Sequence, residues 1–301
     1  MSSRIVILAL IACSAVAHAQ VPSLDGHRYV PSSLVTWSFV DTEVSSTSQG
    51  GVTDFVIEPN FPTFAAPIQL PRQLDGRFLS ATQTIAGSFA LADIFALTAQ
   101  LSGGGIVPLD ASSALVLGGH GAVGEVIGGA LRLLRTDSFQ LTLRADFDAL
   151  EVESIIPARL PSSLRVSGHV LGVRPALAAA FTPTPRVGLQ GSVTVEWQDF
   201  DVATTDDITT LAGAIAASVS LDPAPLTLIV ATNVLHEFGR DVSSLTAEAV
   251  FGPVRTDWNM EGGVYFTVRN ELDLGLLFGA ELAAGDHNER LQGSIRLGYY
   301  F

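Results

Sequence analysis

The chain ends on the stretch Ser294-Ile-Arg-Leu-Gly-Tyr-Tyr-Phe301, in which large apolar residues occupy every second position. Successive side chains of a β-strand point to opposite faces. Ile295, Leu297, Tyr299 and Phe301 therefore share one apolar face, and the pattern predicts a strand that runs to the last residue of the sequence. Because chain termini fray unless they are held in place, this strand is expected to be paired. It either closes a barrel or forms the buried edge of a soluble sandwich.

The same period of two recurs upstream. Residues 139–149, 187–198 and 272–282 each place apolar side chains on one parity and polar or small side chains on the other, which is the strand pattern. Spans of ten or more residues suit a tilted strand that crosses a membrane. About twelve such strands are predicted, at 47–59, 77–91, 94–103, 121–134, 138–150, 166–181, 186–199, 207–221, 226–238, 245–267, 271–283 and 290–301.

The links between these strands alternate in length. Short turn-forming links, such as Thr136–Ser138 and Asp222–Pro225, alternate with longer polar links, such as 151–166. Outer-membrane barrels have short periplasmic turns and longer outer loops. The predicted fold is therefore all-β, a transmembrane antiparallel up-and-down β-barrel. Pro175 lies inside a predicted strand and is expected to mark a bulge, since proline cannot donate to the ladder.

The N-terminus has the pattern of an export signal. A basic start is followed by the apolar run Ile5–Ala12 and by Ala17-His18-Ala19, a small-x-small cleavage site. Residues 1–19 are predicted to be a signal peptide. A competing interpretation is that Leu10–Cys13 is a lipobox with Cys13 as a lipidated N-terminus. With cleavage before Gln20, the only cysteine leaves with the signal.

The remaining chain divides into two parts. Residues 20–46 are polar and irregular, and they are expected to be a periplasmic lead-in or a segment folded into the lumen. Residues 47–301 are expected to form the barrel. The predicted location is the bacterial outer membrane, and outer-membrane lipid is one predicted partner.

Composition agrees with a barrel and excludes other classes. The chain is 48% hydrophobic with a mean hydropathy of +0.39, yet no stretch after the signal reaches the ~20 apolar residues of a membrane helix. Strands that are only half apolar give this combination. The net charge of −14 argues against nucleic-acid binding, which needs a basic face. No metal-ligating motif or phosphate loop occurs, and no cofactor is predicted.

Two stretches of the sequence resemble known groups of proteins. The ending 295–301 resembles the C-terminal signal of bacterial outer-membrane barrels, which implies that Ile295, Leu297, Tyr299 and Phe301 are read by the barrel assembly machinery. The lead-in Leu24–Pro31 and the hairpins 88–97 and 130–139 resemble a proteobacterial group described as putative phenol-degradation (MetA-pathway) proteins. That resemblance implies an outer-membrane barrel with a role in transport.

One pair of side chains has the composition of a catalytic site. Ser167 and His169 share outward parity, as in outer-membrane phospholipases that use a Ser–His pair on the outer face of a strand. If the hairpin at 181–187 keeps its register, Asp199 falls opposite His169 and could orient it. The order of Ser and His is the reverse of that in those phospholipases, and polar residues are ordinary at the headgroup level. The prediction is therefore that the protein is not an enzyme.

The lumen is the remaining candidate site. Inward parity collects charged residues, which need partners or water inside a barrel. They are expected to form either a packed ion-pair network or the lining of a wet pore. The predicted lumen-lining charged residues are Arg132, Arg144, Asp146, Asp148, Arg174, Glu196, Glu237, Glu261, Asp273, Glu281 and Arg296.

Small inward residues favour the wet pore. Gly188, Ala212, Ala214, Ala216, Ser218, Gly275 and Gly279 cannot fill a barrel wider than the ~8 strands that side chains alone can fill. The predicted function is thus a passive channel or transport barrel for small solutes. The alternative is a structural or surface-interaction barrel with a plugged lumen. Because inward acids outnumber inward arginines, mild cation selectivity is expected, unless Arg144, Arg174 and Arg296 dominate the constriction.

Overall fold

The computed structural model describes residues 21–57, 74–91, 93–110, 119–156, 164–200, 208–238, 256–283 and 289–301. Every regular element in these ranges is a strand. The strands are β1 (Ser23–Leu24), β2 (His27–Arg28), β3 (Glu43–Ile57), β4 (Leu74–Leu91), β5 (Phe95–Pro108), β6 (Gly119–Arg135), β7 (Phe139–Ile156), β8 (Leu164–Thr184), β9 (Val187–Phe200), β10 (Ile208–Ser220), β11 (Leu226–Phe238), β12 (Thr256–Arg269), β13 (Leu272–Ala283) and β14 (Glu289–Tyr300).

Strands β3 to β14 form one closed antiparallel barrel. Each strand pairs with its neighbours in the chain, and β14 closes the ring by pairing with β3 along its full length, from Glu289 opposite Asp54 to Tyr300 opposite Glu43. The Phe301 N–H donates to the Thr42 carbonyl at 3.0 Å, which extends the closing ladder to the last residue. The predicted all-β barrel of twelve strands is confirmed.

Three details differ from expectation. The barrel begins at Glu43 rather than at residue 47. Strand β12 occupies Thr256–Arg269, and the earlier part of the predicted strand 245–267 lies outside the described residues. The predicted bulge at Pro175 is wrong: Pro175 pairs with Ala145, and the β8–β9 ladder omits this position without changing register. Proline lacks the N–H of one rung, and the strand passes it with the rung missing rather than with an extra residue.

The outer wall is apolar. Outward side chains such as Val230, Phe278 and Leu291 are 61%, 70% and 65% exposed. Exposing so much apolar surface to water is unfavourable, whereas contact with lipid tails is not. Tyr299 lies near the end of the wall where short turns join the strands. Trp197 and Trp258 lie near the other end, where the longer links are. Aromatic girdles flank the apolar band of outer-membrane barrels in this way. No helix in the described part of the chain is long and apolar enough to cross a membrane.

Residues 21–42, here called the lumen segment, lie inside the barrel. They begin with the hairpin β1–β2, whose turn is Asp25-Gly26 with φ of 43° and 80°, the positive values that an Asp-Gly hairpin turn accommodates. Val30 and Val35 then pack on a cluster from β10 to β13. A second cluster joins Leu24, Tyr29 and Phe39 of the segment to Ala180 of β8.

Candidate functional site: the barrel lumen

The first part of the lumen segment is fixed by three polar side chains. His27 Nε2 lies 2.8 Å from Ser218 Oγ, and Tyr29 Oη lies 2.6 Å from Thr182 Oγ1. Arg28 donates to the carbonyls of Leu272 at 2.7 Å and Thr267 at 3.2 Å. Burial lowers the pKa of His27 to about 4 and raises the pKa of Tyr29 to about 12. Both groups are therefore neutral at pH 7.

The middle of the segment binds to β12. Glu261 accepts hydrogen bonds from Ser32 Oγ at 2.8 Å, from the Ser33 backbone N–H at 3.1 Å, and from Ser33 Oγ. Tyr265 donates its hydroxyl to the Pro31 carbonyl at 2.7 Å. Charge-assisted hydrogen bonds to a carboxylate are stronger than neutral ones. The inward acid Glu261 therefore holds the lumen segment in place.

The last part of the segment returns to the wall near the first strands. Gln140 Nε2 donates to the Ser38 carbonyl at 2.6 Å. The Trp37 indole N–H donates to Asp41 Oδ2 at 2.9 Å, and Ser88 Oγ donates to the Asp41 carbonyl at 2.7 Å. Burial is the main cause that raises the pKa of the Asp41 carboxyl, against the lowering effect of the Trp37 and Ser88 hydrogen bonds.

Several of the small inward residues make room for neighbouring side chains in the lumen and do not border open space. A Cβ on Gly188 would overlap the His27 ring and stand 2.9 Å from Tyr29. A Cβ on Gly275 would stand 2.6 Å from Tyr265 Cζ. Ala214 and Ala216 pack in the cluster around Val30. The expectation that these residues indicate an empty lumen is therefore wrong for Gly188, Ala214 and Ala216, because the folded segment packs against them. At Gly275 the ring of Tyr265 from β12 takes the space instead.

Space remains on the opposite side of the segment. A cavity of about 420 Å³ lies between residues 31–43 and the inner faces of β4 to β8 and β14. Val35, Trp37 and Phe39 of the segment form one wall, and small side chains such as Ala86 and Ala130 form part of the other. The lumen is thus filled on one side and open on the other.

The charges predicted for the lumen divide into three groups. Four of them line the cavity: Arg144, Asp146, Arg174 and Arg296. Glu261 and Asp273 are buried away from it, and Asp273 accepts a hydrogen bond from the Tyr300 hydroxyl at 2.9 Å. The others are half-buried side chains on inward parity that do not line the cavity: Arg132, Asp148, Glu196, Glu237 and Glu281.

This distribution changes the charge balance that underlies the predicted cation selectivity. Glu261 and Asp273 do not face the cavity, whereas Asp146 and three arginines do. Two acids that sequence reasoning missed, Asp41 and Glu43, also line it, and Glu43 forms an ion pair with Arg296. Their contribution could have been found only by knowing that the lead-in folds inward, since neither belongs to a predicted strand.

The structure does not place Asp199 where the sequence predicted it. Asp199 pairs opposite Leu171, not opposite His169. The reason lies in the hairpin: β8 continues to Thr184, and the register shifts between Phe181 and Thr184 before the turn. The side chain of Ser167 is outside the described residues. Among the described residues, no group of acidic, histidine or cysteine side chains could hold a metal ion.

The terminal residues have the orientation expected of an outward face. Ile295, Leu297 and Tyr299 are 54%, 47% and 45% exposed on the outer wall. The rings of Tyr299 and Phe301 lie 4.8 Å apart in an edge-to-face arrangement. Their recognition by the assembly machinery stays a prediction.

No protein-family model matches the sequence, and no curated protein sequence matches it either. Solved structures do resemble the fold. The COG4313 outer membrane channel from Pseudomonas putida F1 aligns with a TM-score of 0.63 and 12% identity, over 91% of this chain and 100% of that one. The translocator domain of the autotransporter NalP from Neisseria meningitidis aligns with a TM-score of 0.54 and 14% identity, over 87% and 88%. The transport unit of the autotransporter AIDA-I from Escherichia coli gives 0.54 and 9%, over 86% and 90%. At these identities the likeness concerns the fold, that of the outer-membrane β-barrel.

Proposed function

We propose that this protein is a passive outer-membrane channel for small solutes, whose path runs beside the lumen segment. The observation that supports this most is the cavity of about 420 Å³ between residues 31–43 and β4 to β8. The lumen segment therefore does not fill the barrel completely. Cavities of this size hold small molecules, and the lining mixes apolar side chains with a few charges, as solute paths do.

The experiment is conductance across a planar bilayer that contains the purified barrel. Ala86 faces the cavity, and Ala86→Trp should lower the single-channel conductance several-fold by filling it. Ala217→Trp is the matched control, because Ala217 is exposed on the outer wall. Equal conductance of both variants and the natural protein would show that ions do not use this cavity.

A structural or surface-interaction barrel with a closed lumen is the second candidate. It is favoured by the number of hydrogen bonds that hold the segment, from His27 at its start to Asp41 at its end. A barrel that conducts no ions at any voltage while remaining folded would decide for this candidate.

The export and assembly of the protein belong to the same proposal. We propose that residues 1–19 are removed on export, that Phe301 and its neighbours guide assembly, and that no reaction is catalysed. Relationship to the phenol-degradation group is proposed from the sequence motifs only. Expression with an N-terminal epitope placed before residue 1 tests the first point, since a cleaved signal would remove the epitope from the outer-membrane fraction.

A further inference from the structure

Arg174 lines the cavity together with the acids Asp41, Glu43 and Asp146, but in the described residues it forms an ion pair with none of them. Its cross-strand neighbour on β7 is Asp146, the position from which a carboxylate ordinarily neutralises an arginine. No ion pair or hydrogen bond joins Arg174 to any residue in the described ranges, and its Nε is buried without a partner. Arg174 is half-buried and lines the cavity, so water or a bound anion can compensate its charge there.

The glycines of two strands explain why Asp146 does not reach Arg174. Gly128 on β6 has no side chain, and the Asp146 carboxylate lies over it: a Cβ there would stand 2.9 Å from Asp146 Cγ. Thr98 of β5 donates to Asp146 Oδ1 at 3.4 Å from the same side. The carboxylate is therefore turned toward β6 and away from β8. Asp148 lies over Gly172 instead, with its Cγ 2.7 Å from the place that a Cβ would take there.

A second arginine stands next to Arg174. Arg144 pairs opposite Ala176, so Arg174 is its diagonal neighbour in the ladder, about 7–8 Å away and within reach of long side chains. Arg144 holds Asp146 only at 3.8 Å, and its Nε is also buried without a partner. Both guanidinium groups line the cavity, where two forks can bind one carboxylate.

The wall of the cavity that the lumen segment forms has an apolar part. Val35, Trp37 and Phe39 lie on it, beside polar residues such as Ser33 and Thr36. An inorganic anion would leave this surface wetted and unused, whereas an organic acid would cover it with its apolar part.

From this geometry we infer that Arg174, assisted by Arg144, forms a binding subsite in the lumen for small organic acids with one carboxylate and an apolar body. A role of this subsite in transport rests on the proposed channel function, because the subsite would bind the solute that passes through the channel.

The test compares benzoate with benzamide, which has the same shape and no charge. Calorimetric titration of the detergent-solubilised barrel should show benzoate binding at least about tenfold more tightly than benzamide. Arg174→Gln should abolish the difference, and Arg174→Lys should retain part of it because the charge stays and the fork is lost. Arg290→Gln is the matched control, because Arg290 lies on an inward position of β14 outside the cavity.

Three outcomes would overturn the subsite: equal affinity for benzoate and benzamide, an Arg174→Gln variant that keeps the preference, or an Arg290→Gln variant that loses it equally. Heat-modifiable migration of each variant establishes that it is folded. Potassium chloride conductance of the same preparations separates this inference from the channel itself. Conductance without benzoate preference removes only the subsite, and Arg174-dependent binding without conductance removes only the channel.

Discussion

Gly188 shows how one missing side chain admits the lumen segment. The His27 ring and Tyr29 occupy the place that its Cβ would take. Gly188→Val should therefore displace the hairpin β1–β2 without breaking the barrel, and should raise conductance and the protease sensitivity of the segment. Gly213→Val is the control, because Gly213 lies on the outer wall and a Cβ there would have no atom within 4 Å. Equal protease sensitivity of the two variants would contradict this role for Gly188.

His27 should make the docking of the segment sensitive to pH. Its pKa is about 4 when docked, against 6.5 in water, because burial disfavours the charged ring. The released segment binds the proton more readily, so the contribution of His27 to docking is fully present above pH 6.5 and is lost as the pH falls from 6.5 to 4, by at most about 1.4 kcal/mol per pH unit. Conductance should rise over that range.

His27→Gln should flatten this pH response, because an amide can still bond to Ser218 and does not titrate in this range. His236→Gln should leave it unchanged, since His236 faces outward and bonds to Thr256. A rise in conductance on acidification that persists in His27→Gln would refute this role of His27. Asp41 could not cause it, because the raised pKa of its carboxyl favours docking as the pH falls.

At the scale of the strand, the period of two was enough to locate the barrel. Strand β11 has the predicted bounds and β13 differs by one residue at its start, because outward residues must be apolar and inward ones need not be. The register between strands was harder to predict from the sequence. It depends on hairpin details such as the shift between Phe181 and Thr184, which leave no mark on alternation.

The closing strand β14 carries a prediction of its own. Phe301 contributes a backbone hydrogen bond to Thr42 and a ring contact with Tyr299. Deleting Phe301 should lower the amount of protein in the outer membrane, and Phe301→Ala, which keeps the backbone bond, should isolate the contribution of the ring. Phe266→Ala is the matched control, an outward aromatic on β12. Unchanged membrane levels after the deletion would count against an assembly role.

At the scale of the whole molecule, the lead-in was the part that sequence could not place. Its contacts include residues from Ser88 to Leu272, most of them far along the chain, and its sequence does not show which strands it contacts. The Asp25-Gly26 turn was the one local signal available, and it indicates a hairpin without saying where the hairpin lies. The cavity could not be predicted from the sequence for the same reason, because the segment forms one of its walls.

The barrel should still fold when most of the lumen segment is deleted. Closure depends on ladders among β3 to β14, and Thr42, which accepts the hydrogen bond from the Phe301 N–H, is kept when residues 21–40 are removed. A variant lacking residues 21–40 should remain heat-modifiable and β-rich in detergent, and should conduct more. Its unfolding temperature should fall, because Tyr29, Val30 and Phe39 are 0%, 0% and 4% exposed and each contributes about 1.5–3 kcal/mol by burial. A helical spectrum, or a monomer soluble without detergent, would refute the barrel itself, whereas unchanged conductance would show that the segment does not narrow the path.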